Sequence, residues 1–392
     1  MNPKAYLRRN IKRRVALGHP WIYDNEIQSC DSVDDGQIVD VFTSSDQFLG
    51  RGYFNSLSTI RIRLLTRKNI EINGAFFREK ILRAFNKKKA LLNNGDSLRV
   101  VFGEADGLPG MIVDKFADFL VVQFNTLGIY TFRREIVDVL LELFSPKGIY
   151  EKSEGSSLEK EGLVQTGEWL AGDGPILIPF NIDGLRFLAD MKGQKTGFFL
   201  DQRENAMKLA FLSNDRFVID LFSYTGNFAF HCLNYGARSV VLVDISERAL
   251  EVSEEIAKMN GFEHKCEFVK ANAFDYLRNG DISKADIVII DPPAMAKNTS
   301  SKSSALRGYK ELNLRGIKNL RNDRVLATSS CTQIVSEEDW LKCINEAFAD
   351  SKKLGTLIYR GGQPLDHPEV SSIFETKYLK FRVFSVHNIA EL

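Results

Sequence analysis

The chain has 392 residues, 44% hydrophobic and 26% charged, enough for two or three domains with cores of their own. A net charge of +1 excludes a uniformly basic nucleic-acid coat, and a charged amino terminus with no run of eighteen apolar residues argues against a signal peptide or a membrane span. The five scattered cysteines (Cys30, Cys232, Cys266, Cys331, Cys343) include no CxxC pair, which points to free thiols in a reducing cytoplasm, with no disulfide framework and no metal site.

The charge is unevenly spread. Residues 1–70 hold 11 Lys/Arg against 7 Asp/Glu, and much of the excess lies in Lys4, Arg8, Arg9, Lys12, Arg13 and Arg14. A cluster of this kind is ordinarily a solvated terminus; its sharper reading is phosphate contact, with Arg8, Arg9, Arg13 and Arg14 as the RNA-binding candidates. Alternating apolar residues with Asp/Gly/Ser punctuation predict short strands at 38–43, 47–54 and 59–65, hence a small β-rich module over residues 1–70. An α+β unit follows over residues 71–175. In it, Phe76, Phe77, Ile81, Leu82, Phe85 and Leu91 give helical spacing across 74–92, and strands are expected at 98–102, 111–114 and 119–124 before a helix at 131–144. Residues 103–110 between the first two strands are rich in chain breakers.

From residue 176 to 392 the rhythm becomes strand and helix in alternation. Strands are predicted at 217–221, 239–244, 266–271, 286–291, 324–328 and 356–360, with helices at 227–235, 247–260, 274–278, 306–320 and 336–348. Apolar strands joined by helices imply an α/β, Rossmann-like parallel sheet covered on both faces, with its ligand at the carboxyl ends of the strands. The polar segment 297–304 reads as a mobile loop at the edge of that site, placed to act as a lid.

The first strand of this region breaks into Asp220-Leu221-Phe222-Ser223-Tyr224-Thr225-Gly226, a glycine turn opening a helix, where backbone can approach a ligand closely. It lacks GxGxxG, so a dinucleotide is disfavoured. The second strand ends in Asp244, a carboxylate suited to two ribose hydroxyls, and the third in Asn272-Ala273, at the expected adenine edge. Each alone is weak, since a strand-ending Asp is more often a cap. Three in register on consecutive strands point to S-adenosylmethionine.

Asp291-Pro292-Pro293-Ala294-Met295 closes the fourth strand, and the two prolines stiffen the exit that aims Asp291. Methyltransferases acting on exocyclic amines commonly carry an aromatic residue where Ala294 stands, which counts against that chemistry. The fifth strand leads into Ser329-Ser330-Cys331-Thr332, putting Cys331 beside Asp291. A random cysteine is a small buried hydrophobe; this one stands among hydroxyl residues at a ligand-binding edge. Carbon 5 of cytosine is a poor nucleophile until a thiolate adds to carbon 6, so Cys331 is the expected nucleophile and Asp291, protonated or sharing a proton with ring nitrogen 3, the group that steadies the adduct.

These residues resemble the RlmI-like family of large-subunit (23S) ribosomal RNA cytosine-C5 methyltransferases, over nearly the whole chain. Gly18-His19-Pro20-Trp21-Ile22-Tyr23 is similar to the start of that family's PUA domain, a small RNA-binding β-barrel. Residues 104–114 (EADGLPGMIVD) resemble a signature of its middle domain, and residues 307–313 (RGYKELN) its segment after the Asp-Pro-Pro turn. The most specific stretch is Lys195-Thr196-Gly197-Phe198-Phe199-Leu200-Asp201-Gln202-Arg203, which family members close over the cofactor, so the resemblance makes Phe199, Gln202 and Arg203 cofactor contacts. Asn272 departs from the family's usual Asp, which implies altered cofactor affinity, and Ala294-Met295 departs from its usual Lys or Ala followed by Phe. The resemblance implies ribosomal RNA as partner and leaves the oligomeric state open, a homodimer included. Two rival readings stand beside it: a ribosomal RNA guanine methyltransferase on the same core, which needs no thiol, and a non-catalytic RNA-binding assembly factor.

Overall fold

The computed structural model describes residues 1–391. The chain divides into two compact units. The first comprises Met1–Asn181 with two later segments, Ala189–Phe198 and Leu365–Thr376; the second comprises Ile182–Leu188, Phe199–Pro364 and the carboxy-terminal segment from Lys377.

The first unit holds two sheets. Six strands form one, in the order Trp21–Ile22, Ile62–Thr66, Phe48–Phe54, Ile38–Phe42, Lys4–Leu7, Ile27–Cys30. Its inward residues, among them Ala5, Leu7, Ile22, Val39, Val41 and Ile62, make a small apolar core. Strands Lys4–Leu7, Trp21–Ile22 and Ile27–Cys30 were not expected, because two to four residues are too few to show a period. Five further strands form the second sheet, in the order Thr166–Gly172, Gly148–Ser153, Phe119–Phe124, Met111–Phe116, Ser97–Phe102, covered by helices Gly74–Lys88 and Arg133–Phe144. Phe77, Ile81, Ile136 and Leu140 from the helices meet Leu98, Val113 and Val122 from the sheet. Polar groups join the two regions: Tyr53 Oη donates to the Pro109 carbonyl (2.9 Å), and Arg63 pairs with buried Glu161 (2.7 Å).

The two later segments are fastened into this unit by specific bonds. Thr196 Oγ1 donates to Asp114 Oδ2 (2.5 Å), a carboxylate that also takes both arms of Arg99 (2.8 and 2.7 Å). The Arg99 amide donates to Asp366 Oδ2 (2.9 Å), and His19 Nε2 lies 3.0 Å from Glu375 Oε2.

The second unit is built on seven strands: β1 (Phe217–Leu221), β2 (Ser239–Asp244), β3 (Cys266–Lys270), β4 (Ile287–Ile290), β5 (Arg324–Ser330), β6 (Lys353–Gly361) and β7 (Lys380–Asn388). Their order is β3-β2-β1-β4-β5-β7-β6; β7 alone runs antiparallel to both neighbours. The helices in chain order are α1 (Arg203–Ala210), α2 (Asn227–Asn234), α3 (Glu247–Asn260), α4 (Ala273–Asn279), α5 (Lys302–Asn319) and α6 (Glu337–Asp350). Strands such as Ile287–Ile290 are buried at every residue, as expected for a parallel strand covered on both faces. The helices start where sequence chemistry dictates. Ser246 caps α3 by accepting from the Ala249 amide (3.2 Å), and Ser336 caps α6 by accepting from Asp339 (3.1 Å).

One expectation needs correction. Segment 297–304 is not an open loop: Thr299–Ser301 is a 3-10 turn, and α5 already begins at Lys302. Asn298 makes the difference: its side chain accepts from the Ser301 amide (3.1 Å) and caps the 3-10 turn that leads into α5, which begins four residues before the apolar pattern shows it. Among the described residues, no helix is long and apolar enough to cross a membrane.

Candidate active site

The strand order reverses between β1 and β4, and in open parallel sheets ligands bind at the carboxyl ends beside such a switch. Strand register aligns Leu221 of β1 with Ile290 of β4, and Ile290 with Thr328 of β5, so the turns after these strands share one edge of the sheet.

The turn after β1 has an unusual backbone. Phe222 (φ +62°), Tyr224 (φ +48°) and Gly226 (φ +82°) all take left-handed conformations, two of them at bulky non-glycine residues, where this conformation is uncommon. Tertiary bonds hold it: the Ser223 amide donates to the Val243 carbonyl (3.1 Å) and the Tyr224 amide to Asp244 Oδ2 (2.9 Å). Asp244 thus spans two turns, since its Oδ1 accepts from the Ser246 amide (2.8 Å).

Several buried polar atoms in this turn have no protein partner: Asp220 Oδ1, Ser223 Oγ, Thr225 Oγ1 and both amide atoms of Asn227. Buried polar groups are nearly always bonded, so such a cluster marks a place for a polar ligand. The chemistry of the set suits S-adenosylmethionine, which carries an ammonium, a carboxylate and a sulfonium. Asp220, wholly buried, has its pKa raised by desolvation and by the neighbouring charge of Asp291, with the Ala229 amide (3.2 Å) opposing. A cationic ligand would relieve both effects.

Phe199, Gln202 and Arg203 stand at and just before the start of α1 in the same unit. The Phe199 and Tyr224 rings meet edge-on, 4.9 Å apart. Gln202 Nε2 donates to Asp291 Oδ1 (2.9 Å), and Asn205 fixes the amide by donating to Gln202 Oε1 (2.7 Å). Arg203 is buried at the first turn of the helix. Asn272 is exposed and caps α4, its Oδ1 accepting from Phe274 (2.9 Å), while Ala273 beside it is buried. The oxygen expected to face adenine is therefore already engaged with backbone.

At the reacting edge, Asp291 Oδ1 accepts from Ser329 Oγ as well as from Gln202. Cys331 is partly exposed, with Sγ 3.8 Å from the Pro292 carbonyl, so it lies against the Asp-Pro-Pro turn. Hydroxyls lock its flanks: Ser330 Oγ donates to Tyr309 Oη (2.9 Å), Tyr309 Oη bonds Thr332 Oγ1 (2.7 Å), and the Met295 amide donates to that same Thr332 oxygen (3.0 Å). Burial pushes the Tyr309 hydroxyl up to about 12, so it stays neutral. Sequence reasoning assigned no role to Asn205, Ser329 or Tyr309, the last two appearing only within longer stretches. Only the third dimension shows that they orient residues it did name.

In the first unit, Arg8, Arg9 and Arg13 are exposed. Arg14 is half-buried: it bonds Glu26, donates to the Trp21 carbonyl (2.5 Å) and lies 4.8 Å over the Tyr23 ring. It serves the internal packing of the sheet; of the other three, Arg8 also donates to the Ile27 carbonyl (3.2 Å) from an exposed position.

A family profile described as a PUA-like domain matches residues 5–67, and one described as an S-adenosylmethionine-dependent methyltransferase matches residues 160–370. Ribosomal RNA large subunit methyltransferase I of Klebsiella pneumoniae (strain 342) is 33% identical over 387 residues, covering 96% of this chain and 97% of that protein. The protein of that name from Aliivibrio fischeri (strain MJ11) is 33% identical over 393 residues, covering 97% and 98%. A solved structure described as a methyltransferase complexed with SAH (S-adenosylhomocysteine) matches with a TM-score of 0.84 at 22% identity, covering 97% of this chain and 99% of that one. At that identity the likeness establishes a shared fold.

Proposed function

Since the chain belongs to the S-adenosylmethionine-dependent methyltransferase family that includes ribosomal RNA large subunit methyltransferase I, we propose that it methylates carbon 5 of a cytosine in large-subunit (23S) ribosomal RNA. The observation that carries this reading is Cys331 Sγ lying 3.8 Å from the Pro292 carbonyl, one residue past Asp291, at the sheet edge that also holds the unpartnered polar turn. The cofactor supplies an electrophilic methyl group. Asp220, Ser223, Thr225 and Asp244 would hold its polar ends, and Phe199 would flank it.

Cys331 adds as a thiolate to carbon 6 of the base, which makes carbon 5 an enamine carbon able to take the methyl group. Loss of the carbon-5 proton and elimination of the thiolate then release the product. Asp291 steadies the adduct at ring nitrogen 3. A stacked base is unreachable, so the target is unpaired or flipped. The PUA-like region, with exposed Arg8, Arg9 and Arg13, holds RNA backbone.

The test is to incubate purified protein with S-adenosylmethionine and unmodified large-subunit ribosomal RNA, and to identify methylated nucleosides by mass spectrometry. Cys331→Ala runs alongside. 5-Methylcytosine that disappears with the variant supports the proposal. A methylated guanine with full turnover in Cys331→Ala would replace it with the guanine reading, and RNA binding without transfer, on free RNA and on ribosomal particles, with the assembly-factor reading.

A further inference from the structure

We propose that Lys380 is a positioning residue for Cys331: it pins the turn that carries the thiol and supplies the positive charge against which the thiolate forms. This rests on the reading of Cys331 as nucleophile. Lys380 opens β7, and antiparallel pairing sets it directly across from Ser330, the residue before Cys331. Its Nζ donates to the carbonyls of Thr332 (3.1 Å), Val335 (3.0 Å) and Tyr378 (3.1 Å). The ammonium therefore grips the chain immediately after Cys331 while its own backbone pairs with the chain immediately before.

Three acceptors saturate the three N–H bonds of an ammonium, whereas a neutral amine has only two to give. The geometry thus calls for the charged form at a residue only 6% exposed. Burying a cation is costly unless it is paired, and all three partners here are neutral. Among the described residues, no carboxylate forms a salt bridge with Lys380. The charged groups that act on it are Cys331, Glu337 of α6 and Lys377. Glu337 is already shared between Arg382 and Lys377. A thiolate at Cys331 would supply the missing counter-charge, and by reciprocity the ammonium would favour that thiolate. Burial pulls the Lys380 ammonium down to about 8, and negative charge at Cys331 pushes it back up. Asp291 after β4 and Tyr309 of α5 also border the Cys331 turn, one an acid and the other neutral, through Ser329 and Ser330.

The test uses the full chain without RNA. Alkylation of Cys331 by iodoacetamide is followed by mass spectrometry of its peptide across pH 5 to 10, for wild type and for Lys380→Met, Lys380→Gln and Lys380→Arg. The expected result is a midpoint raised by about one pH unit or more in the Met and Gln variants, so that alkylation below the midpoint falls about tenfold, with Arg restoring most of it. Gln keeps donors for the carbonyls, so it carries the test if Met fails to fold. An unchanged midpoint in Lys380→Gln, or slowing by the same factor at every pH, would overturn the proposal and leave Lys380 a structural strut. Turnover by Cys331→Ala would instead refute the nucleophile reading, a result independent of the thiol titration.

Discussion

Replacing Gly226 with alanine separates two costs that the turn after β1 imposes together. At φ +82° an L-residue gives up roughly 1–2 kcal/mol for its left-handed backbone. A Cβ there would also lie 2.5 Å from Phe230 Cε2 and 2.8 Å from Leu242 Cδ2, both in fully buried side chains. Forcing a methyl group into a packed core typically costs about 1–3 kcal/mol more. The expected loss is therefore about 2–5 kcal/mol. Gly261, which ends α3 at φ +72°, has nothing within 4 Å of its would-be Cβ, so Gly261→Ala should show the backbone cost alone. Urea denaturation of the two purified variants measures the difference, and calorimetric titration with S-adenosylmethionine measures the site. Gly226→Ala should bind at least about tenfold more weakly, because the shifted turn carries Ser223 and Thr225, whereas Gly261→Ala should bind as wild type does. Equal destabilisation by both substitutions, or undiminished binding by Gly226→Ala, would refute the packing argument.

Asp220→Asn should stabilise the cofactor-free protein, and more so as pH rises. The folded protein holds the Asp220 proton to higher pH than the unfolded chain does, so this group's contribution is full below the unfolded carboxylate value near ~4 and is lost as pH climbs through the raised folded value. Melting temperatures at pH 5 and pH 8 should show the variant's advantage growing; a deficit of the same size at both would contradict a strained buried carboxyl. For the amino-terminal cluster, neutralising Arg8, Arg9 and Arg13 together should weaken RNA affinity and flatten its salt dependence, with little change in stability because the bond lost, from Arg8 to the Ile27 carbonyl, is an exposed one. Arg14→Ala should lower the melting temperature instead, through its bonds to Glu26 and the Trp21 carbonyl; an unchanged salt slope in the triple variant would return those arginines to ordinary solvated surface.

Much of the second unit was legible because parallel strands are continuous apolar runs, as in Val240–Val241–Leu242–Val243 and residues 287–290, separated by helices with clear caps. Strand β7 was not. Its buried Lys380 and Arg382 interrupt the apolar pattern, and a lysine in a sequence reads as surface. The strand-ending residues Asp220, Asp244 and Asp291 could be named from position alone, since the topology brings strand ends to one edge. The partners that orient the site could not: Ser329 lies 38 residues from Asp291 and Tyr309 lies 21 from Ser330, while Asn205, though three residues from Gln202, bears on Asp291 only through that amide, 89 residues away. Equally hidden were segments 189–198 and 365–376, whose membership of the first unit depends on bonds such as Arg99 to Asp366 that leave no local trace.

That interleaving has a consequence during synthesis. A ribosome finishes residue 181 and must still add Leu365–Thr376 before every strap of the first unit exists. At ordinary elongation rates this interval lasts roughly 10–40 s. Throughout it, the nascent amino-terminal region lacks the Asp366 and Glu375 contacts, while the sheet of the second unit emerges behind it. The two units then reach completion within a few residues of each other, the final strap of the first arriving just before β7, the last strand of the second unit's sheet.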